Sequence, residues 1–195
     1  WSSDVCSSDL LYHLKRYEEA ITAYDTALNL NPKFTDAINN KGTSHYALKD
    51  YDQALGLYTQ ALKYDPDNTE VMLQKAIVLH VQGEYEKEIE VYEQLLAQSP
   101  QYAKAWYNKG NAYLSLEQYD KALENYNQAL EVDSAHDNAF YNRACVYALR
   151  GESQKALADL KKAVKINPAQ KQNAQKDSDF DSIRDLPEFQ AMVQS

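Results

Sequence analysis

The sequence has few residues that interrupt helices and few that cross-link a chain. Its 195 residues include only five glycines and five prolines, which favours helices joined by short turns. The two cysteines, Cys6 and Cys145, do not make a disulfide framework. No run of eighteen apolar residues occurs, so the sequence predicts no membrane-spanning helix. The apolar content of 44% is still enough for a core.

Basic residues are also in short supply. The 20 Lys and Arg residues against 29 Asp and Glu residues give a formal charge of −9. An acidic surface repels phosphate backbones, so we expect no nucleic-acid partner. Phenylalanine is scarce beside tyrosine, 4 residues against 16. Tyrosine suits positions where the ring is buried and the hydroxyl still reaches water or a backbone group.

The first ten residues, 1–10, read WSSDVCSSDL. This is the translation of TGG AGT TCA GAC GTG TGC TCT TCC GAT CT with the last codon completed by any base, and that string resembles a common short-read sequencing adapter. We therefore expect an assembly artefact fused to a truncated gene, a bacterial metagenomic fragment, and leave the segment out of the functional reasoning. The alternative is a genuine serine-rich leader. Because the natural N-terminus is then missing, the compartment stays unknown, with the cytoplasm favoured.

A period of 34 residues runs through the rest of the chain. Two tyrosine columns are Tyr17, Tyr51, Tyr85, Tyr119 and Tyr24, Tyr58, Tyr92, Tyr126, the second continued by Leu160. Two alanine columns are Ala20, Ala54, Ala122, Ala156, broken by Glu88, and Ala27, Ala61, Ala129, Ala163, broken by Leu95. Three further columns are Gly42, Ala76, Gly110, Ala144; Ile38, Met72, Trp106, Phe140; and Pro32, Pro66, Pro100, Pro168, the last with Ser134 as its exception. Agreement of seven columns indicates one repeated unit.

Each unit is predicted to hold two amphipathic helices, about 35–48 and 51–64 in the clearest case. Small residues let the two helices approach closely. The predicted contacts are Gly42 with Ala54 and Gly110 with Ala122. Gly83 and Gly151 fall in turns, where glycine accepts a positive φ. The Asn or Asp before a proline ends the second helix, because that residue is pushed out of α geometry.

This pattern resembles the tetratricopeptide repeat family. One unit carries nearly the whole signature, in Trp106-Tyr-Asn-Lys-Gly110, Tyr113, Tyr119, Ala122, Tyr126 and Ala129. The resemblance covers about 11–170, with a truncated repeat over 11–34 and complete repeats over 35–68, 69–102, 103–136 and 137–170. It implies an all-α fold, a right-handed superhelical solenoid of antiparallel helix pairs. It also implies a concave groove, lined by first helices, that binds peptides or partner helices.

The first repeat departs from the pattern. One period before Ile38 and Gly42 stand Asp4 and Ser8, whereas agreement resumes at Leu11 and Tyr12. We expect that part of the first helix has been replaced. The apolar face of 17–30 is then poorly covered, and that end frays or self-associates.

The sequence after Pro168 predicts a C-terminal capping segment, 171–195. A helix over 169–176 supplies the polar outer face that a solenoid end needs. Apolar residues then follow at helical spacing, namely Phe180, Ile183, Leu186, Phe189 and Val193. A less favoured alternative is a calcium-binding loop with the ligands Asp177, Asp179, Asp181, Asp185 and Glu188. Against it, Ser182 occupies the position where such a loop requires glycine.

Ligand contacts are predicted on the exposed face of the first helices. On the family pattern two columns lie there, Asn40, Gln74, Asn108, Asn142 and Thr43, Ile77, Asn111, Cys145. Amide side chains both donate and accept hydrogen bonds, which suits an extended peptide. The candidate groove residues are Lys104, Tyr107, Asn108, Asn111, Tyr141 and Asn142, with Asn40 and Gln74 in the earlier repeats, and Asn39 and Lys41 could extend them. The alternative is local: the asparagines bond a neighbouring helix and tighten the stacking.

Other patterns carry less. A two-carboxylate clamp for chaperone tails would use Asn39, Thr43, Gln74, Lys104 and Asn108, which hold only one charge. The column Lys41, Lys75, Lys109, Arg143 is either a basic ladder for acidic ligands or, as we favour, a set of stems over apolar surface with charges directed to nearby acids. Glu88 needs a neutralising partner, for which Lys75 and Lys87 are the candidates, or repeat three splays. A metal site of His13, His45 and His80 is disfavoured because their offsets turn them to different faces.

We expect no enzymatic activity and no cofactor, since no zinc-protease, redox, dinucleotide or phosphate-loop motif occurs. The favoured function is a scaffold that binds a protein or peptide. The alternative is a regulatory or substrate-docking region of a larger enzyme whose catalytic domain is missing. The oligomeric state and the partner's identity stay open.

Overall fold

Antiparallel helix pairs fill nearly the whole of the computed structural model, which describes residues 10–194. Within that range no residue is in a β-strand. No helix there is both long enough and apolar enough to cross a membrane. The chain divides into two compact units, Trp1–Gln98 and Ser99–Ser195.

The first unit begins its described part with helical residues 10–13. Five helices follow: α1 (Tyr17–Leu30), α2 (Thr35–Ala47), α3 (Tyr51–Tyr64), α4 (Thr69–Gln82) and α5 (Tyr85–Gln98). The predicted helices at 35–48 and 51–64 are thus confirmed. Each helix packs on its neighbours in the chain, α2 on α1 and α3, and α4 on α3 and α5.

The second unit repeats this arrangement and adds the cap. Its repeats hold α6 (Ala103–Ser115), α7 (Tyr119–Val132), α8 (Asp137–Leu149) and α9 (Ser153–Ile166). The cap holds α10 (Gln170–Lys176), a single 3₁₀ turn (Ser178–Phe180) and α11 (Pro187–Gln194). The predicted capping residues Phe180, Ile183, Phe189 and Val193 are all buried, in one cluster with the last repeat.

The turn inside each repeat adopts a left-handed backbone at the same point of the period. The five residues there are Lys15, Lys49, Gly83, Glu117 and Gly151, with φ between 56° and 75°. The expected glycine turns at Gly83 and Gly151 are confirmed. The three non-glycine turns show that helix packing imposes this conformation even where the side chain disfavours it.

The second helices end through a second local device. Asn31, Asp133 and Asn167 follow the last helical residue in extended geometry. Each side-chain oxygen accepts the backbone N–H two residues on, at 3.0–3.2 Å. This Asx turn explains why the unit with Ser134 in place of proline ends at the same point as the others.

Glycine at the small-residue column makes room for a tyrosine ring. A Cβ built on Gly42 would lie 2.8 Å from Cε1 of Tyr58, and one built on Gly110 would lie 2.6 Å from Cε1 of Tyr126. The nearest atoms therefore belong to a tyrosine one helical turn beyond the predicted partner alanine, which the sequence pattern did not identify. Both rings are fully buried.

The first repeat is better covered than expected. Ala20 and Tyr24 of α1 are buried and pack with Ala37, while Leu11 and Tyr12 lie against them. Our expectation of a poorly covered face is wrong for these residues. The exposed large apolar side chains of this repeat are Leu10, Leu14 and, at the end of α1, Leu30. The adapter hypothesis concerns residues 1–9 almost entirely, which lie outside the described part.

Candidate functional site

A polar cleft of about 280 Å³ lies in the first unit. Its lining comes from the helical start of the described chain and from α1, α2 and α4, namely Tyr12, His13, Tyr24, Asn40, Thr43, Glu70 and Gln74. Asn40 and Gln74, which the sequence predicted as ligand contacts one period apart, line the same cleft. Three successive repeats therefore present polar side chains to one space.

The hydrogen-bond state of the lining differs from residue to residue. Thr43 is engaged, since its hydroxyl accepts from the Tyr58 hydroxyl at 3.2 Å and donates to the carbonyl of Asn39 at 3.1 Å. Burial raises the pKa of Tyr58 to about 12, so its hydroxyl remains a donor at neutral pH. Gln74 has no hydrogen-bond partner in the described chain, so its amide is available to a ligand.

The electrostatics of the cleft are acidic. Glu70 is exposed in the first turn of α4, and no lysine or arginine belongs to the lining. The site therefore favours neutral or basic groups over carboxylates. Asn39, which we considered as an extension, is 7% exposed and packs inside the unit instead.

In the second unit, three of the predicted groove residues, Tyr107, Asn111 and Asn142, join in one set of internal hydrogen bonds. The Asn142 amide donates to the Tyr107 hydroxyl at 3.2 Å and to Oδ1 of Asn111 at 2.8 Å. The hydroxyl of Tyr126 donates to the same Asn111 oxygen at 2.8 Å. These bonds join α6, α7 and α8, which is the local stacking alternative considered from sequence.

Tyr141 lies beneath the cap. Its side chain is 7% exposed, its ring meets Phe180 edge-on at 5.4 Å, and its hydroxyl donates to Oδ2 of Asp177 at 2.8 Å. Burial and the neighbouring carboxylate raise the pKa of Tyr141. The cap therefore occupies the hydroxyl of Tyr141 with the carboxylate of Asp177, although the sequence predicted that Tyr141 faces a ligand.

Cys145 lies beside the same carboxylate and could hold a metal only as part of a small set. Its thiol lies 3.8 Å from Oδ2 of Asp177, and ligand atoms of Cys145, Asp177 and Asp179 lie within 4.8 Å of one another. Burial raises the pKa of the Cys145 thiol and also that of the Asp179 carboxyl. The thiol therefore joins α8 to the cap through its contact with Asp177.

The calcium-loop alternative gains no support from the geometry. Asp181 is bound by Arg184 at 2.6 Å. The same guanidinium donates to the backbone carbonyls of Gln175 and Asp177, so the acidic loop is closed by an arginine. Among the described residues, its five acids do not gather around one point.

Lys104 and Asn108 are the predicted residues of the second unit that keep free polar groups. Lys104 is exposed and Asn108 is half-buried on α6, and neither has a hydrogen-bond or ion-pair partner within residues 10–194. Neither residue belongs to the lining of the cleft in the first unit.

The basic column is at least partly structural, as we favoured. Lys41 pairs with Asp25 at 2.6 Å. Arg143 donates two hydrogen bonds to the Asp159 carboxylate, from Nε at 2.6 Å and from Nη2 at 2.9 Å. Lys109 lies 5.8 Å from the centre of the Trp106 ring. These contacts direct the charges toward helix neighbours.

Glu88 finds a partner that sequence reasoning missed. Its carboxylate is 2% exposed and lies 2.9 Å from Nδ1 of His80. Burial raises the pKa of Glu88, although the imidazole opposes the shift. Lys87 pairs with Glu84 instead, so the prediction that Lys87 neutralises Glu88 is wrong. His45 lies 3.1 Å from Asp50 through Nδ1, and among residues 10–194 no group of metal-ligating side chains contains a histidine.

Comparison with known proteins agrees with this architecture. Models of the tetratricopeptide repeat match residues 103–136, 138–170 and 39–103, and a model of the TPR repeat matches residues 9–49. The chain belongs to the tetratricopeptide repeat family. No curated protein sequence matches the chain.

Solved structures with the same fold include MamA from Desulfovibrio magneticus RS-1, with 21% identity and a TM-score of 0.79 over 87% of this chain and 96% of that chain. A double mutant of MamA RS-1 gives 21% identity and a TM-score of 0.80 over 87% and 95%. YrrB, described as a TPR protein with an unusual peptide-binding site, gives 24% and 0.72 over 85% of each chain. At these identities the likeness shows the shared fold.

Proposed function

We propose that this chain is a non-catalytic scaffold that holds a peptide segment of another protein in the cleft of the first unit. The observation that carries the proposal is the convergence of Asn40, Glu70 and Gln74 with two aromatic side chains in one space of about 280 Å³. Family membership and the peptide-binding description of YrrB support it.

The chemistry of the lining defines the ligand class. An amide such as Gln74 can donate to a peptide carbonyl and accept from a peptide N–H, which suits an extended backbone. Tyr12, which is half-buried, offers flat apolar surface with a polar tip. Because the lining contains the acidic residue Glu70 and no lysine or arginine, we propose a peptide that carries a basic side chain near its bound centre.

The second unit has a narrower part in this proposal. Lys104 and Asn108 keep free polar groups but do not belong to the lining of the cleft, so they serve as the comparison site. Tyr107, Asn111, Tyr141 and Asn142 support the helix stacking and the cap, since their polar groups are already bonded inside the unit.

The experiment is selection of random displayed peptides against the chain, followed by affinity measurement of the selected peptides by fluorescence anisotropy. Asn40→Ala combined with Gln74→Ala is expected to weaken binding by about tenfold or more, since each lost hydrogen bond is worth about 1 kcal/mol. Lys104→Ala combined with Asn108→Ala is the matched control, with two polar truncations on the equivalent face of α6.

Three results decide the matter. A loss with the first pair alone supports the cleft. A loss with the control pair alone moves the site to the second unit and overturns the cleft assignment. Selected peptides that bind both folded variants as tightly as the parent contradict the proposal altogether.

A further inference from the structure

A second groove, of about 670 Å³, lies far along the chain from the cleft, between α9 and α11 in the second unit. We call it the basic groove. Its floor is mainly apolar, from Leu157, Ala158, Val164, Ala191 and Met192, and its rim carries Gln154, Lys161, Lys165, Lys171 and Glu188.

The repeat architecture explains why this surface is open. The second helices α1, α3 and α7 are each packed against the first helix of the next repeat, α2, α4 and α8. The helix that follows α9 is the seven-residue α10. Together α10 and α11 cover only part of the face of α9 that would pack on a further repeat. A groove of about 670 Å³ therefore runs beside α9.

The charge of α9 sets it apart from the other second helices. It carries four lysines and one aspartate, whereas α1 carries three acids and no lysine, and α5 carries four acids and one lysine. In a chain with a formal charge of −9, this groove is a local basic surface. It therefore attracts the ligands that the rest of the surface repels.

Two lysines of the rim are available to a ligand. Lys161 and Lys165 are exposed, and neither has an ion-pair partner within residues 10–194. In contrast, Lys155 is held by Glu152 at 2.5 Å, and Lys162 lies 3.9 Å from Asp159. Lys161 and Lys165 are four residues apart on α9, so they lie one turn apart on the same face.

We propose that the basic groove binds an acidic amphipathic helix of another protein. The apolar face of such a helix packs between α9 and α11, in the way one helix seats in the groove between two others. Two carboxylates one turn apart on its flank then meet Lys161 and Lys165. The occupant is a helix because the groove lies where this fold otherwise stacks its next helix.

The test uses two synthetic capped peptides of about 18 residues, long enough to form a helix. Both place leucine at positions i, i+3, i+4 and i+7, and their flanks carry glutamate in one peptide and lysine in the other. The glutamate peptide is expected to bind the chain in fluorescence anisotropy, and the lysine peptide is not. Binding is expected to weaken as salt is raised.

Charge reversal locates the site. Lys161→Glu combined with Lys165→Glu is expected to weaken the glutamate peptide by about tenfold or more. The single change Lys165→Glu is compared with Lys63→Glu, its matched control, because Lys63 is exposed at the position of α3 that Lys165 holds in α9, three periods later. The cleft variant Asn40→Ala with Gln74→Ala is expected to bind this peptide as tightly as the parent chain. A wrong assignment of the basic groove is therefore distinguishable from a wrong assignment of the cleft.

Three outcomes overturn the proposal. Equal binding of the glutamate and lysine peptides removes the charge argument. If Lys63→Glu weakens the glutamate peptide as much as Lys165→Glu does, the effect comes from the overall electrostatic field of the protein and not from the groove. A concentration-dependent dimer in light scattering that the double reversal abolishes assigns the groove to a second copy of the chain.

Discussion

Replacing Gly110 by alanine is expected to destabilise the second unit by about 2 kcal/mol. A Cβ at this position lies 2.6 Å from Cε1 and 2.8 Å from Cδ1 of Tyr126, whereas carbon atoms in favourable contact are about 3.5–4.0 Å apart. The ring is fully buried and its hydroxyl is bonded to Asn111 at 2.8 Å. It therefore has little freedom to move away.

The magnitude follows from three contributions. Forcing an extra methyl into a packed interior costs about 1–3 kcal/mol. Displacing the ring also breaks the bond to Asn111, which is worth about 1 kcal/mol. The higher helix propensity of alanine over glycine offsets about 1 kcal/mol. Gly56→Ala isolates that last contribution, because no atom lies within 4 Å of a Cβ there, and it is expected to stabilise the first unit by about 0.5–1 kcal/mol.

The assay is urea unfolding, followed by circular dichroism and by the fluorescence of Trp106. A Trp1→Phe background makes that fluorescence specific for the second unit, which matters because repeat arrays can unfold in more than one step. Gly110→Ala combined with Tyr126→Leu gives this repeat the residues that the next repeat carries at the same two positions, Ala144 and Leu160. The two changes are expected to couple by about 1 kcal/mol or more.

A Gly110→Ala variant as stable as the parent would refute this reasoning. So would a strictly additive double variant, since both results would mean that the ring does not depend on the absent methyl group.

Three further changes test other contacts. Burial raises the pKa of Glu88, so its protonated form is favoured in the fold and stability is lost as pH rises from about 4.3 through the folded pKa. Glu88→Gln is expected to reduce the loss of unfolding free energy, measured in urea, as pH rises above about 4.3, and an unchanged pH dependence contradicts this. Arg143→Ala removes the guanidinium from the 6% exposed side chain of Asp159 and leaves it only the more distant Lys162 at 3.9 Å. The change is expected to cost about 3 kcal/mol in thermal unfolding, and a loss below about 1 kcal/mol would show that the pair contributes as a surface pair does. Tyr141→Phe removes the hydroxyl bonded to Asp177 and is expected to speed amide exchange across the cap by about fivefold, and unaltered exchange would show that the apolar contacts alone hold it.

The helix pattern was predictable because its signals are local. A left-handed turn at Gly83 or Gly151 and an extended residue before proline act within a few bonds, so the period located the helix ends closely. The apolar spacing after residue 176 likewise identified Phe180 and Ile183 as capping residues. These features depend on backbone preference and on which face of one helix is apolar.

The candidate site was less predictable because it depends on where side chains from separate elements meet. The period placed Asn40 and Gln74 on equivalent faces, and both line the cleft. It could not foresee that the tail would bring Asp177 onto Tyr141. Nor could it choose His80 for Glu88, since that choice depends on the direction of two side chains across the interface between α4 and α5.

The left-handed turns have a mechanical consequence. A non-glycine residue in this conformation costs about 1 kcal/mol in the folded state, and the first unit contains such a turn at Lys49 while the second contains one at Glu117. In a repeat array the free energy is close to a sum of local contributions. We therefore expect the hairpin α2–α3 and the hairpin α6–α7 to yield at a lower pulling force than they would with glycine at these turns.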